Sequence, residues 1–310
     1  MRNQAFISGL AILLYFSPLS CQSVEFTTSE FREVIAENAQ VVAIATELQF
    51  TEGPVWIDSS AGKPGYLLFS DIPANIIYRF SPGDTLSVWR SPSGNSNGLI
   101  LDAAGRLITC EHGNRRVGIS DVPGPVTTLC ESYRGLALNS PNDAAIGADG
   151  GIWFTDPPYG IKAGEQQQPA NFVFFLAPGK KEPRAMIDDF NRPNGIVFSP
   201  DKKILYVADS GRPRQVRHFR LEGDSLSEIG VFAKISQGGP DGMCVDNSGR
   251  VYVTTGDGVQ VFSPEGKLLG KVLTPKQPTN CCFGGDEMQT LFITARPNVY
   301  MVRLKVQGLR

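Results

Sequence analysis

Six side chains of one chemical class open six similar stretches of this sequence: Glu52, Asn97, Asn142, Asn194, Asp241 and Asn280. All are carboxylates or carboxamides, and each stands just before an apolar run. Oxygen donors without His or Cys form a hard-ligand set, which suits Ca²⁺ or Mg²⁺ better than Zn²⁺. Ca²⁺ fits best, because six to eight neutral and charged oxygens at ~2.3–2.6 Å are its habit. Zn²⁺, Mg²⁺ and Mn²⁺ are the other candidates. Two carboxylates, Glu52 and Asp241, would neutralise the ion. A competing reading is local, since Asn and Asp before a strand also cap turns through their own backbone. Six such residues in register favour a shared site.

The elements that must position them are read from the repeats. The copies run EGPVWIDSSAGKPGYLLFSDI from Glu52, NGLILDAAGRLITCEHG from Asn97, NDAAIGADGGIWFTDPP from Asn142, NGIVFSPDKKILYVADS from Asn194, DGMCVDNSGRVYVTTGDG from Asp241 and NCCFGGDEMQTLFITAR from Asn280. Their starts are 45, 45, 52, 47 and 39 residues apart, the period of a propeller blade. Within each copy β-branched and aromatic runs are split by hairpin signals such as Asp102–Gly105, Ala148–Gly151, Ser199–Lys202 and Asp246–Gly249. Further strand-like runs, Ile76–Phe80, Phe172–Leu176, Val216–Leu221, Val259–Phe262 and Val299–Leu304, bring the count to about four strands per copy. The sequence therefore predicts an all-β, six-bladed propeller of four-stranded antiparallel blades over residues 40–310, with the six polar residues facing a central channel. Gln40–Leu48 is strand-like and predicted to close the ring as the outermost strand of the last blade, removing an exposed edge. Residues 22–39 read as a short amphipathic or irregular lead-in, and no second domain is expected.

A chain of 310 residues, 41% hydrophobic and 19% charged, can bury a large core. Its 33 glycines and 22 prolines suit a fold with many turns. With a net charge of −2 and no cluster of basic residues, nucleic acid is excluded as a partner, which leaves small molecules. The apolar stretch Ala5–Phe16 behind Arg2 is too short to span a bilayer and suits an export signal. Residues 1–21 are therefore read as a signal peptide, and the protein as exported. Cys21 stands where a bacterial lipoprotein would be processed and lipidated, although Pro18 departs from that pattern; ordinary cleavage near Ser20–Ser23 is the alternative. In a bacterium the destination is the periplasm or, through a lipid anchor at Cys21, the outer membrane. Cys110, Cys130, Cys244, Cys281 and Cys282 form no CxxC and are odd in number, so small apolar packing groups are the simpler reading, with Cys110–Cys130 as the candidate pair.

The stretches Glu52–Trp56, Ser140–Asp143 with Trp153–Gly160, Arg192–Gly195 with Tyr206–Ser210, Pro240–Asp246 and Cys281–Gly285 resemble the senescence-marker-protein/gluconolactonase/luciferin-regenerating-enzyme-like family. The resemblance covers five of the six copies in order. It implies a six-bladed propeller that is a metal-dependent lactonase or related esterase, with Glu52, Asn194 and Asp241 binding the metal. Asn142 would contact metal or substrate, and Asp241 would double as catalytic base. Some members carry an arginine two residues before the equivalent of Asn142; here that place holds Ser140, which leaves the particular sugar lactone open.

The expected reaction is hydrolysis of a small lactone, with the metal polarising the carbonyl and Asp241 activating water. Substrate-binding candidates are Asn97, Asn142, Asn280, His112 and Arg115, with Arg115 or Arg116 to hold an anionic group. His112 and these arginines come from Glu111–Arg116, at a strand end that is either a pore mouth or a plain surface loop. Pro157–Gly160 is either a lid or a rigid turn, and His218 is structural. Gly94–Gly98 matches a nucleophile-elbow pattern without its strand–turn–helix context and is set aside. Trp56, Trp89 and Trp153 read as blade packing. A phosphotriester hydrolase on the same pore and a non-catalytic ligand-binding propeller are the alternative functions.

Overall fold

A computed structural model of the chain describes residues 23–60, 63–83, 85–223 and 225–309. The expected export segment and Cys21 lie outside the described residues. Six antiparallel sheets form the blades of the propeller. Their inner strands are Thr51–Ile57, Ser96–Leu101, Ala144–Ile146, Pro193–Phe198, Met243–Val245 and Pro278–Gly284, in blades one to six. The ring closes as the pattern predicts: Val42–Ala45 is the outermost strand of blade six and pairs antiparallel with Asn298–Arg303, Val42 opposite Met301.

The lead-in is more ordered than its composition suggests. Val24–Phe26 adds a fifth strand to blade five, pairing with Leu268–Val272, so the edge of that blade is covered. The turn of helix Phe31–Val34 follows, with Phe31 and Val34 fully buried. Room for Phe31 comes from Gly270, where an added Cβ would lie 2.1 Å from the ring. A two-stranded hairpin, Ser132–Tyr133 with Leu136–Ala137, stands between blades two and three and was not anticipated.

Between blades the core is aromatic and aliphatic. Trp56 of blade one stacks on Phe292 of blade six at 5.4 Å between centroids, and Trp153 packs on Phe175 and, across the next interface, Phe198. The five described cysteines are free, which favours the packing reading over a Cys110–Cys130 bridge. Among the described residues no helix is long and apolar enough to cross a membrane.

Candidate active site

Each leading polar residue is aimed at the axis by the way its inner strand begins. The ladder slips between Glu52 and Val55, Ser96 and Leu99, Pro193 and Ile196, and Pro278 and Asn280. Such bulges insert an unpaired residue and re-aim its side chain. Asn142 and Asp241 precede their regular strands by two residues. Behind four of the six stands a glycine, and the reason is steric. A Cβ on Gly53 would sit 2.0 Å from the Asn97 carbonyl oxygen, and one on Gly195 would sit 2.3 Å from that of Asp241. Without those atoms neighbouring inner strands join directly, Gly98 N–H donating to Asn142 O at 2.8 Å and Gly195 N–H to Asp241 O at 3.1 Å.

The result is a cavity of about 430 Å³ at one end of the channel. Glu52, Asn97, Asn142, Asn194 and Asp241 line it together, so five of the six leading side chains meet there. The sixth, Asn280, stands behind them. Its amide supports the Glu52 carboxylate and reaches Asp143 Oδ2 at 3.4 Å. Arg115 lies apart from the lining: its Nε donates to the Leu138 carbonyl at 2.6 Å and its Nη1 to that of Glu165 at 3.4 Å.

Charge is crowded in this space. Burial, and then the facing charge of Asp241, holds the Glu52 carboxyl well above the usual carboxylate range. Burial pushes Asp241 up to about 7, against the pull of the Arg296 guanidinium and a hydrogen bond from Asn194. Asp143, next to Asn142 but on the wall of a second cavity behind this one, is pushed up to about 7 by the same cause. These carboxyls are enclosed faster than they are compensated, the environment that a divalent cation would relieve. The donors are hard oxygens: two carboxylates, Glu52 and Asp241, and the carboxamides of Asn194 and Asn142. They fit Ca²⁺ or Mg²⁺ by type. Among the described residues no cluster of three or more His, Cys, Asp or Glu is arranged to hold a metal, so any such site depends on the amides.

His112 also lines the cavity, and burial lowers its pKa to about 4. It is therefore a neutral imidazole at pH 7, 3.2 Å from Asn97 Nδ2. Because that amide can only donate, Nε2 accepts and Nδ1 carries the proton. Tyr159, from Pro157–Gly160, completes one wall and hydrogen-bonds with Ser210 and Asn194. Its segment is a pinned turn, since Ser140 Oγ donates to Pro157 O at 2.6 Å and accepts from Gly160 N–H at 2.8 Å. Ser140 thus fastens the wall from its place two residues before Asn142. Ser96, the nucleophile of the discarded elbow pattern, is fully buried with its Oγ 2.9 Å from Ser70 Oγ.

The sequence pattern missed Ser210, Arg296, Ile72 and Asp143. The first three share a rule that could have found them. Each directly follows the second strand of its blade, as His112 does: Ile72 after Tyr66–Asp71, His112 after Leu107–Glu111, Ser210 after Ile204–Asp209 and Arg296 after Thr290–Ala295. Second strands run antiparallel to inner strands, so their ends return to the face where the inner strands start.

Comparison with known proteins agrees with this architecture. The family model described as "SMP-30/Gluconolactonase/LRE-like region" matches residues 50–296. A gluconolactonase of Zymomonas mobilis is 32% identical over 307 residues, covering 89% of this chain and 84% of the relative. The solved structure of a gluconolactonase from Xanthomonas campestris superposes with a TM-score of 0.85 at 33% identity, over 92% of this chain and 96% of that one. A calcium-binding regucalcin from Agrobacterium tumefaciens shares the fold, with a TM-score of 0.71 at 20% identity over 85% of this chain and 93% of its own.

Proposed function

This chain belongs to the SMP-30/gluconolactonase/LRE-like family, and from that premise we propose that it is a metal-dependent hydrolase of a small lactone of the gluconolactone type. The observation that carries the reading is the pair of enclosed carboxyls, Glu52 and Asp241, facing one cavity beside the Asn194 and Asn142 amides. Glu52, Asn194 and Asp241 would hold the ion, with Asn142 on the ion or the substrate. Ca²⁺ is the preferred ion because of its taste for mixed carboxylate and amide oxygens. When bound, the ion supplies Lewis acidity at the lactone carbonyl.

The chain's own residues do the rest. An Asp241 carboxylate oxygen takes the proton from the attacking water as the water oxygen bonds to the acyl carbon. The ring C–O bond then breaks, and the ring oxygen takes that proton from Asp241, leaving a hydroxy acid and the carboxylate restored. Asn97, Asn142 and the neutral His112 offer hydrogen bonds to ring hydroxyls, and Tyr159 narrows the entrance. The apolar Ala5–Phe16 stretch supports an exported enzyme, periplasmic or anchored at Cys21.

The test is acid release from glucono-1,5-lactone, followed in a pH-stat after chelation and again after adding Ca²⁺, Zn²⁺, Mg²⁺ or Mn²⁺ singly. Chelation should abolish turnover and Ca²⁺ restore it most fully. Undiminished turnover in chelator would remove the metal from the mechanism, and turnover of phosphotriesters alone would replace the substrate class.

A further inference from the structure

At the far end of the channel lies a second cavity, of about 310 Å³, whose wall includes Cys244, Cys281 and Cys282. Two of these thiols touch: Cys244 Sγ and Cys281 Sγ are 3.4 Å apart, although 37 residues separate them in the chain. Strand register explains the meeting. Gly242 N–H donates to the Thr279 carbonyl at 2.7 Å, joining the inner strand of blade five to that of blade six. A Cβ on Gly242 would lie 2.1 Å from Asn280 Cγ, so glycine is what permits the approach. Cys244 and Cys281 each lie two residues beyond that bonded pair. Side chains two apart share a face, so the two sulfurs are delivered together. Cys282 has the opposite parity, and its thiol interacts with the Trp56 backbone of blade one instead.

We propose that Cys244 and Cys281 are a modification site, oxidised to a disulfide that staples the inner strands of blades five and six. A disulfide holds its sulfurs about 2.0 Å apart, so about 1.4 Å must be closed, within the reach of side-chain rotation. With a small disulfide such as oxidised glutathione as oxidant, the step balances. The Cys244 thiolate attacks one oxidant sulfur and expels the first glutathione thiolate. Cys281 then attacks Cys244 Sγ and expels the second. Two protein thiols lose two electrons to the oxidant's S–S bond, and their two protons pass to the departing glutathiones. Cys244 is the half-buried partner and the point of entry, although burial holds its thiol well above the usual range, while Cys281 is buried. Asp241 lies three residues before Cys244 and Asn280 directly before Cys281, so the staple would sit beneath the carboxyl site. The proposal does not depend on what that site hydrolyses.

The full chain, incubated with oxidised glutathione and digested with trypsin after alkylation, tests it by mass spectrometry. The linked peptide pair Ile235–Arg250 with Gln277–Arg303 should form in the wild type and in Cys282→Ser. It should be lost in Cys244→Ser and Cys281→Ser. Oxidation should raise the Tm on the order of 5–10 °C, reversed by reductant, because the loop closed is long. An alkylated Cys244 under oxidant, a Cys281–Cys282 link, or a linked pair surviving Cys281→Ser would each overturn it.

Discussion

The two ends of the axial channel are made from the same six inner strands and hold opposite chemistry. At one end stand Glu52, Asn97, Asn142, Asn194 and Asp241; at the other stand Val55, Leu99, Ala144, Ile196, Met243 and Cys281. One to three residues along each strand exchange the leading carboxylates and amides for mainly apolar and sulfur-bearing side chains, although Asp58, Asp143, Lys202 and Asn280 also line the second cavity. The exchange follows the ladder. Where pairing slips at a strand start, the side chain is released toward the axis; where pairing is regular, alternate residues are committed to the cores between blades. Chemistry is carried by the irregular backbone and stability by the regular backbone, within a single strand.

Substitutions at the two ends should therefore separate function from stability. Asp241→Asn removes the proposed base and should lower kcat by about 10²–10⁴-fold with the circular dichroism spectrum unchanged. Glu52→Gln should weaken Ca²⁺ binding on the order of 100-fold by calorimetry, since one of two anionic ligands is gone. The pH dependence of the chelated protein comes next. Asp241 and Asp143 sit near 7 when folded, with Glu52 also raised, so the folded chain binds protons more tightly than the unfolded chain above about pH 4. The depressed His112 works the other way between about pH 4 and 6.5, but it is one imidazole against three raised carboxyls. Stability should therefore fall as pH rises to about 7, on the order of 2 kcal/mol or more in denaturant titrations. Added Ca²⁺ should restore stability at pH 8 far more than at pH 5. Asn97→Ala should raise KM about 5–10-fold with kcat little changed, the scale of one hydrogen bond. At the apolar end Met243→Leu conserves volume and should cost less than about 1.5 kcal/mol, leaving kcat untouched. Equal damage to turnover from Met243→Leu and Asp241→Asn would dissolve the contrast.

Much of this was legible in the residues because a propeller repeats itself. The recurring pair of a polar residue and a glycine marks both the side chain that reaches the axis and the place where neighbouring strands touch. Blades three and six break the pair, with Asp143 and Cys281 in the glycine position: Asp143 carries no repeat signal, and Asn280, expected at the substrate, stands outside the lining of the first cavity, behind Glu52. Loop position does not separate Arg115 from Arg116 as an anion holder; the backbone turns the Arg115 guanidinium to the Leu138 and Glu165 carbonyls. Val24–Phe26 was missed because three residues carry too little periodicity to declare a strand, and its partner is supplied by blade five.

By itself the sequence determined the blade count, the ring closure and the class of donor at the axis, because those depend on period and residue type, which are local. Only the tertiary structure decided which side chains share a cavity, how far burial raises their carboxyl pKa values, and which two thiols touch. Those quantities depend on distances between blades and on the water excluded there, and neither is written in any one repeat.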